Sequence, residues 1–319
     1  MMQFHYQNIL LGVAIGDALG VPVEFTSRQS LEAHPVTHLR GYGTHNMPAG
    51  TFSDDGSLTF CLAEALTAPF SLQSVANNML RWYEDGFWTA HGEVFDIGIA
   101  TKQAIEQLQK GIAPTHSGNT SEQSNGNGSL MRILPLVMHL HLLPIEERWK
   151  LTKCVSGITH AHIRSVIACF YYLEFARLLL LGNNQWQAYA QLQTDLPQQL
   201  LQLTQEPKEV DLFSRLLHHN IATFNQAEIS SSGYVLHTLE ASIWCLLTTH
   251  NFTDAVLKAV NLGLDTDTTG AVTGGLAAML YGYQNIPEQW LQQLAKRTQL
   301  LQLAARWQAY QTNNRELFV

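Results

Sequence analysis

The chain has 319 residues, a formal net charge of −8, 14% charged residues and 46% hydrophobic ones. That length can bury a large core, and the acidic balance argues against nucleic-acid binding through a basic face. No Lys or Arg precedes Arg28 and no uncharged apolar run looks long enough to span a bilayer, so neither a secretory start nor a membrane anchor is expected.

The first element is NILLGVAIGDALGVPVEF, a helical pattern in which Gly12, Gly16 and Gly20 recur every fourth residue. Each glycine costs about 1 kcal/mol in a helix interior, so the stripe predicts close packing against another backbone. Asp17 lies inside the stripe and reads either as a buried hydrogen-bonding group or as a ligand. Pro22 ends the helix and leaves Glu24 just beyond it. Residues 28–50 hold prolines, glycines and histidines without a helical period, the pattern of a long surface loop leading into a site.

GTFSDDGSLTFCLAEAL follows, with Ser53, Asp54 and Asp55 at the start of a helix whose inner side carries Leu58, Cys61, Leu62, Ala65 and Leu66. Adjacent aspartates repel, so the pair calls for a cation or for full solvent exposure. Residues 82–101 are aromatic and glycine-rich and turn helical at Asp96 or soon after, with Asp96 as an N-cap or a site residue. Residues 115–127 are polar and read as mobile. Gly126, Asn127, Gly128 and Ser129 then open a short helix, where a plain loop-to-helix junction or an anion cradle of backbone N–H groups would each fit.

His160 and His162 precede a strongly apolar helix over residues 163–181. His160 is assigned a capping or substrate-contacting role and His162 a structural one. Residues 185–209 are glutamine-rich and peripheral. SSGYVLHTLEASIWCLL gives another buried helix, with Tyr234 at its start either facing the site or anchoring the helix end.

Near the C-terminal end comes LGLDTDTTGAVTGGLAAMLYG, where Asp265, Thr266, Asp267, Thr268 and Thr269 stand at the start of a small-faced helix. Aspartates at i and i+2 diverge on a regular helix, so both can serve one site only where the backbone is still entering the helix. An over-provided cap would explain this cluster alone. Two clusters of the same plan favour a two-metal site, and the oxygen donors suit Mg²⁺ or Mn²⁺ better than zinc. The small-faced helix is the obvious partner for the glycine stripe.

The four cysteines, Cys61, Cys154, Cys169 and Cys245, are widely spaced and show no CxxC motif, as expected for buried reduced thiols of a cytoplasmic protein. No alternating strand pattern, internal repeat or linker appears, so the expected architecture is one all-α domain over residues 1–319, a monomer.

GVAIGDALGVPVEF, GTFSDDGSLTF, FDIGIAT, NGNGSLMRILPL, THAHIRSVIACFYY, SGYVLHTLEASIW and GLDTDTTGAVTGGLAAMLYG together resemble the ADP-ribosylglycohydrolase family, in family order over nearly the whole chain. The resemblance implies an all-α fold with a binuclear Mg²⁺ or Mn²⁺ centre that hydrolyses the N-glycosidic bond between ADP-ribose and a protein side chain, usually arginine. It implies metal ligation by Ser53, Asp54 and Asp55 and by Asp265, Asp267 and Thr268, with Glu24, Asp96 and Asp55 as catalytic carboxylates. The Gly126 to Ser129 turn matches the family's diphosphate-binding loop. Gly56 departs from the pattern, since many relatives have threonine there. Other readings are a two-metal phosphoesterase, hydrolysis of another ADP-ribosyl linkage, an immunity protein against an ADP-ribosylating toxin, and a catalytically silent ADP-ribose reader.

Overall fold

The protein is described here by a computed structural model covering residues 6–313. Among these residues it has sixteen α-helices and seven 3₁₀ turns, three isolated bridges and no strand, in agreement with the all-α expectation. One apolar core cluster extends from Tyr6 to Trp307.

At the centre, the first helix, Tyr6–Gly20, lies against Thr266–Tyr281. A Cβ added at Gly16 would stand 2.0 Å from the Gly270 carbonyl oxygen, and one at Gly12 would stand 2.4 Å from that of Gly274. At Gly20 the neighbour would be Asp267 Cα at 2.3 Å. The glycine stripe therefore has the partner the sequence predicted, and backbone contact offsets the helix cost of the glycines. This close approach brings the end of the first helix and the start of the second together. Thr266 Oγ1 fastens them by donating to Gly20 O at 2.8 Å.

The Asp54–Ala65 helix is buried along almost its whole length and runs into the same point. Its first turn is held by a side chain from the first helix. Asp17 is fully buried and accepts from Ser53 N at 2.9 Å and from Gly56 N at 2.8 Å. That settles the role of Asp17 as a cap supplied by another element. It also bears on Gly56, where a Cβ would lie 3.0 Å from Asp17 Oδ2, so threonine at this position would crowd the cap.

Several local expectations change. Residues 28–50 are not one loop, because Ser27 caps a short helix, Arg28–Ala33. Arg28 reaches from it to Leu262 O, Gln226 O and Ile229 O. The helix after the aromatic segment starts at Ile99 with Gly98 in the cap position, so Asp96 caps nothing. Gly126 to Ser129 do not open a helix; they form a turn closed by Met131 N donating to Asn127 O, followed by the 3₁₀ turn Leu134–Leu136. Two glycines and Pro135 disfavour a regular helix there. Cys61, Cys169 and Cys245 are buried and Cys154 half-buried, all free. Tyr6–Val23 has the length and mean hydropathy of a membrane span, but it contains Asp17 and 89% of it is buried inside the protein, as for a core helix.

Candidate metal and active site

Two helix N-termini, Asp54–Ala65 and Thr266–Tyr281, converge on a cavity of about 600 Å³. Their positive dipole ends favour anions at this point. Ser53 caps the first of them, its hydroxyl accepting from Asp55 N at 3.2 Å. Asp265 occupies the cap position of the second, yet its carboxylate makes no capping bond and instead accepts from Asn127 Nδ2 at 2.8 Å. Asp267 follows in the first turn, so the chain is still entering the helix between the two aspartates, as the i, i+2 spacing required.

Seven carboxylates gather here: Asp17, Glu24, Asp54, Asp55, Asp96, Asp265 and Asp267. Ligand oxygens of Glu24, Asp265 and Asp267 lie within 4.8 Å of one another, and so do ligand atoms of Glu24, His45 and Asp96. Asp55 Oδ2 accepts from Ser53 Oγ and from Thr268 Oγ1, both at 3.3 Å, which ties the two clusters together. Asp55 Oδ1 and Asp267 Oδ2, by contrast, are buried with no hydrogen-bond partner.

Burial first, and then mutual repulsion, pushes the carboxyls of Asp54, Asp55 and Asp267 well above the usual range. Burial also raises Asp17 to about 7 against its backbone hydrogen bonds, and with Asp96 and Asp265 nearby raises Glu24 to about 9. No Lys or Arg is among the described residues lining the cavity. Orphaned buried oxygens and unbalanced negative charge fit hard divalent cations, whose ligands are oxygens. Asp54, Asp55, Asp265, Asp267 and Thr268 would hold them, with Ser53 and Glu24 beside.

These shifts give a prediction for the metal-free protein. Folded-state values above the unfolded ones, 3.8 for Asp17 and 4.5 for Glu24, mean that the folded chain binds the extra protons. The cluster's contribution is therefore fully present below the unfolded values and is lost as pH rises through about 7 for Asp17 and about 9 for Glu24. In EDTA the melting temperature is expected to fall between about pH 5 and about pH 9, and added Mg²⁺ or Mn²⁺ should cancel most of the fall. A melting temperature that rises with pH in EDTA would show that the carboxylates are not the source of strain.

Of the residues singled out from sequence, Glu24, Asp54, Asp55, Asp96, Gly126, Asn127, Gly128, His160, Asp265 and Thr268 line the cavity. Asp267 stands behind them, fully buried. Ser129 is also fully buried and bonds Ser156 Oγ rather than facing the cavity. The Tyr234 ring sits against His237 and Arg164, while its neighbour Gly233 lines the cavity. The polar segment before Gly126 is pinned, with Asn119 pairing through its backbone to Thr159 and Ala161. His162, as expected, is structural and caps the Ile163–Leu180 helix through Arg164 N.

The sequence reading missed His45, which pairs with Glu24, and Thr101, Asn119 and Met131 in the lining. Three non-glycine residues with positive φ also ring the site: Phe25 at 63°, Asp96 at 57° and Leu264 at 64°. Phe25 N donates to Leu264 O at 2.6 Å and Leu264 N to Thr26 O at 2.8 Å, so Leu264 is clamped to the Phe25–Thr26 backbone at the rim. Such backbone is held only where its surroundings impose it, and it aims Asp96 into the cavity.

This fold and this carboxylate cluster have counterparts. A model of the family described as ADP-ribosylglycohydrolase matches residues 4–316, so the chain belongs to that family. The ADP-ribosylarginine hydrolase Tri1 of Serratia proteamaculans (strain 568) is 34% identical over 93% of this chain and 77% of its own length. The ADP-ribosyl-[dinitrogen reductase] glycohydrolase of Rhodospirillum rubrum is 28% identical over 89% of this chain and 88% of its own. A solved ADP-ribosylglycohydrolase-related protein complex superposes with a TM-score of 0.74 at 28% identity, over 95% of this chain and 96% of that one. The protein is a hydrolase of ADP-ribosyl groups, an enzyme that cleaves a glycosidic bond.

Proposed function

We propose that this enzyme removes ADP-ribose from arginine side chains of modified proteins, using two divalent ions, Mg²⁺ or Mn²⁺, and that it acts as one domain and as a monomer in the cytoplasm. The observation that carries the reading is the pair of orphaned buried oxygens, Asp55 Oδ1 and Asp267 Oδ2, at two helix starts beside a cavity of small-ligand size. Resemblance to ADP-ribosylarginine hydrolases supports the linkage, the shared core from Tyr6 to Trp307 supports one domain, and free cysteines support a reducing compartment.

Breaking the ribosyl C1′–N bond builds oxocarbenium character at C1′, so the ribose must be oriented, water activated and the leaving nitrogen protonated. Bound divalent cations supply charge stabilisation and a more acidic water. The chain supplies the rest. Ser53 and Thr268 fix the Asp55 carboxylate. The Gly126 to Gly128 turn receives the diphosphate, since a side chain at Gly128 would strike His160 Cε1 at 2.9 Å and Thr101 Oγ1 at 3.0 Å. Glu24 or Asp96 moves the proton: Glu24 is held by His45, and burial lifts its carboxyl to about 9.

The test is release of free ADP-ribose from arginine-ADP-ribosylated protein with Mg²⁺, with Mn²⁺ and with EDTA, alongside Glu24→Gln and Asp96→Asn. Metal-dependent release, lowered in at least one variant, is expected. Release of phosphate in place of ADP-ribose would identify a phosphoesterase, cleavage of serine-linked substrate alone another linkage, and tight binding without release a reader or an immunity protein.

A further inference from the structure

Behind the glycine turn lies a cation that this chemistry does not use. Arg132 is 1% exposed, and its Nε and Nη1 are buried without a hydrogen-bond partner. Among the described residues no carboxylate pairs with it. Its remaining nitrogen, Nη2, donates to Val155 O at 3.0 Å and to Thr159 Oγ1 at 2.9 Å. Thr159 Oγ1 in turn lies 2.8 Å from His160 Nδ1.

Proton accounting along this chain favours one arrangement, because among the described residues Thr159 Oγ1 has only Arg132 Nη2 and His160 Nδ1 as partners. A guanidinium can only donate, so Thr159 Oγ1 accepts from Arg132. The threonine hydroxyl then directs its own proton to His160 Nδ1, the acceptor beside it. Burial and the nearby Arg132 push the imidazole down to about 3, so the ring is neutral. With Nδ1 accepting from Thr159, its hydrogen belongs on Nε2. Nε2 faces the turn, since a Cβ built at Gly126 would stand 3.5 Å from it. His160 is 2% exposed, so the ring is packed in place, and Ser156 Oγ fixes the backbone by donating to His160 O at 2.9 Å.

We propose that Arg132 is a positioning residue that acts through Thr159 to fix His160 as the Nε2–H tautomer, giving the cavity wall at the glycine turn a neutral donor for a phosphate oxygen of the ADP-ribosyl ligand. The opposite tautomer would present a lone pair to that oxygen and repel it. An imidazolium would face Arg132 as a like charge. The ligand part of this inference rests on the ADP-ribosyl reading above; the tautomer part does not.

The experiment is ring-nitrogen NMR on the full-length protein labelled with ¹⁵N-histidine, with His160 assigned by the signal lost in His160→Gln. Expected are a proton-free Nδ1, a protonated Nε2 and a shift of that Nε2 signal on adding ADP-ribose. Thr159→Val removes the bridging hydroxyl and is expected to mix the tautomers and weaken ADP-ribose binding about tenfold, raising KM more than it lowers kcat. Thr159→Ser should restore both readouts, which a merely structural role for the threonine would not demand. Arg132→Met should behave as Thr159→Val. A wild-type His160 protonated on Nδ1, or a Thr159→Val protein with unchanged tautomer and affinity, overturns the proposal. If the tautomer is as stated and ADP-ribose does not bind, the ligand part and the functional reading fall together while the tautomer part stands.

Discussion

Asp267→Asn is expected to lower the rate of ADP-ribose release by about a thousandfold, some 4 kcal/mol of transition-state stabilisation, while making the metal-free protein more stable. The two effects come from one geometry. Asp267 is fully buried, its Oδ1 accepts from Thr268 N at 2.9 Å, and its Oδ2 has no partner. Asparagine keeps the shape and the accepting oxygen, so the helix start should survive. It removes a carboxyl whose ionisation burial and then Glu24, Asp55 and Asp265 all oppose, which relieves the metal-free fold. The same change withdraws a charged donor from the cation site, which is where the catalytic loss arises. Release kinetics with saturating Mn²⁺ and melting in EDTA measure the two halves. Full activity in the variant would return Asp267 to the role of a surplus helix cap.

Gly16→Ala is the second substitution with a large expected effect. Alanine is the better helix former by about 1 kcal/mol, so on propensity alone the variant should gain stability. The structure reverses that expectation, because the new Cβ would stand 2.0 Å from Gly270 O and 2.5 Å from Gly270 C, both backbone atoms of the facing helix. Neither atom can rotate aside, so the helix pair must separate, at a net cost of about 3 kcal/mol or more. For a chain of this size that is a drop in melting temperature of roughly 6 °C. Gly157→Ala serves as the control, since its Cβ would meet Ala161 Cβ at an ordinary 3.9 Å within the helix Ile145–Gly157. Equal melting temperatures for the two variants would contradict the close helix contact.

The glycine stripe shows what was legible from sequence. Three glycines at fourfold spacing have no local benefit, so they foretold a backbone contact, and a second small-faced helix was at hand to make it. The two acid clusters were legible for the same kind of reason, since adjacent aspartates at helix starts exceed what capping needs. What stayed hidden depends on tertiary neighbours. Asp17 caps a helix 36 residues later, and no local pattern marks such a cap. His45 reaches Glu24 from a segment whose prolines and histidines read as undifferentiated loop. Asp96 read equally as a helix cap or a site residue because a helix follows closely, and only the structure separates the two, since Gly98 takes the cap place and Asp96 turns left-handed toward the cavity. Arg132 sits in an apolar run, LMRILPL, where sequence shows only an intrusive charge.

The contact between Gly16 and Gly270 also has a temporal side. The partners are separated by roughly 250 residues, and a ribosome adding about 5–20 residues per second needs about 10–50 s to deliver the second after the first. Through that interval a strongly apolar helix has no backbone to press its glycines against, and the carboxylates at its end have no second cluster to face. Helices formed in the meantime can condense around it, but a pairing of such sequence separation closes late, after a large loop has been organised. Catalytic competence therefore waits on a pairing that synthesis makes possible only after roughly 250 residues have been added.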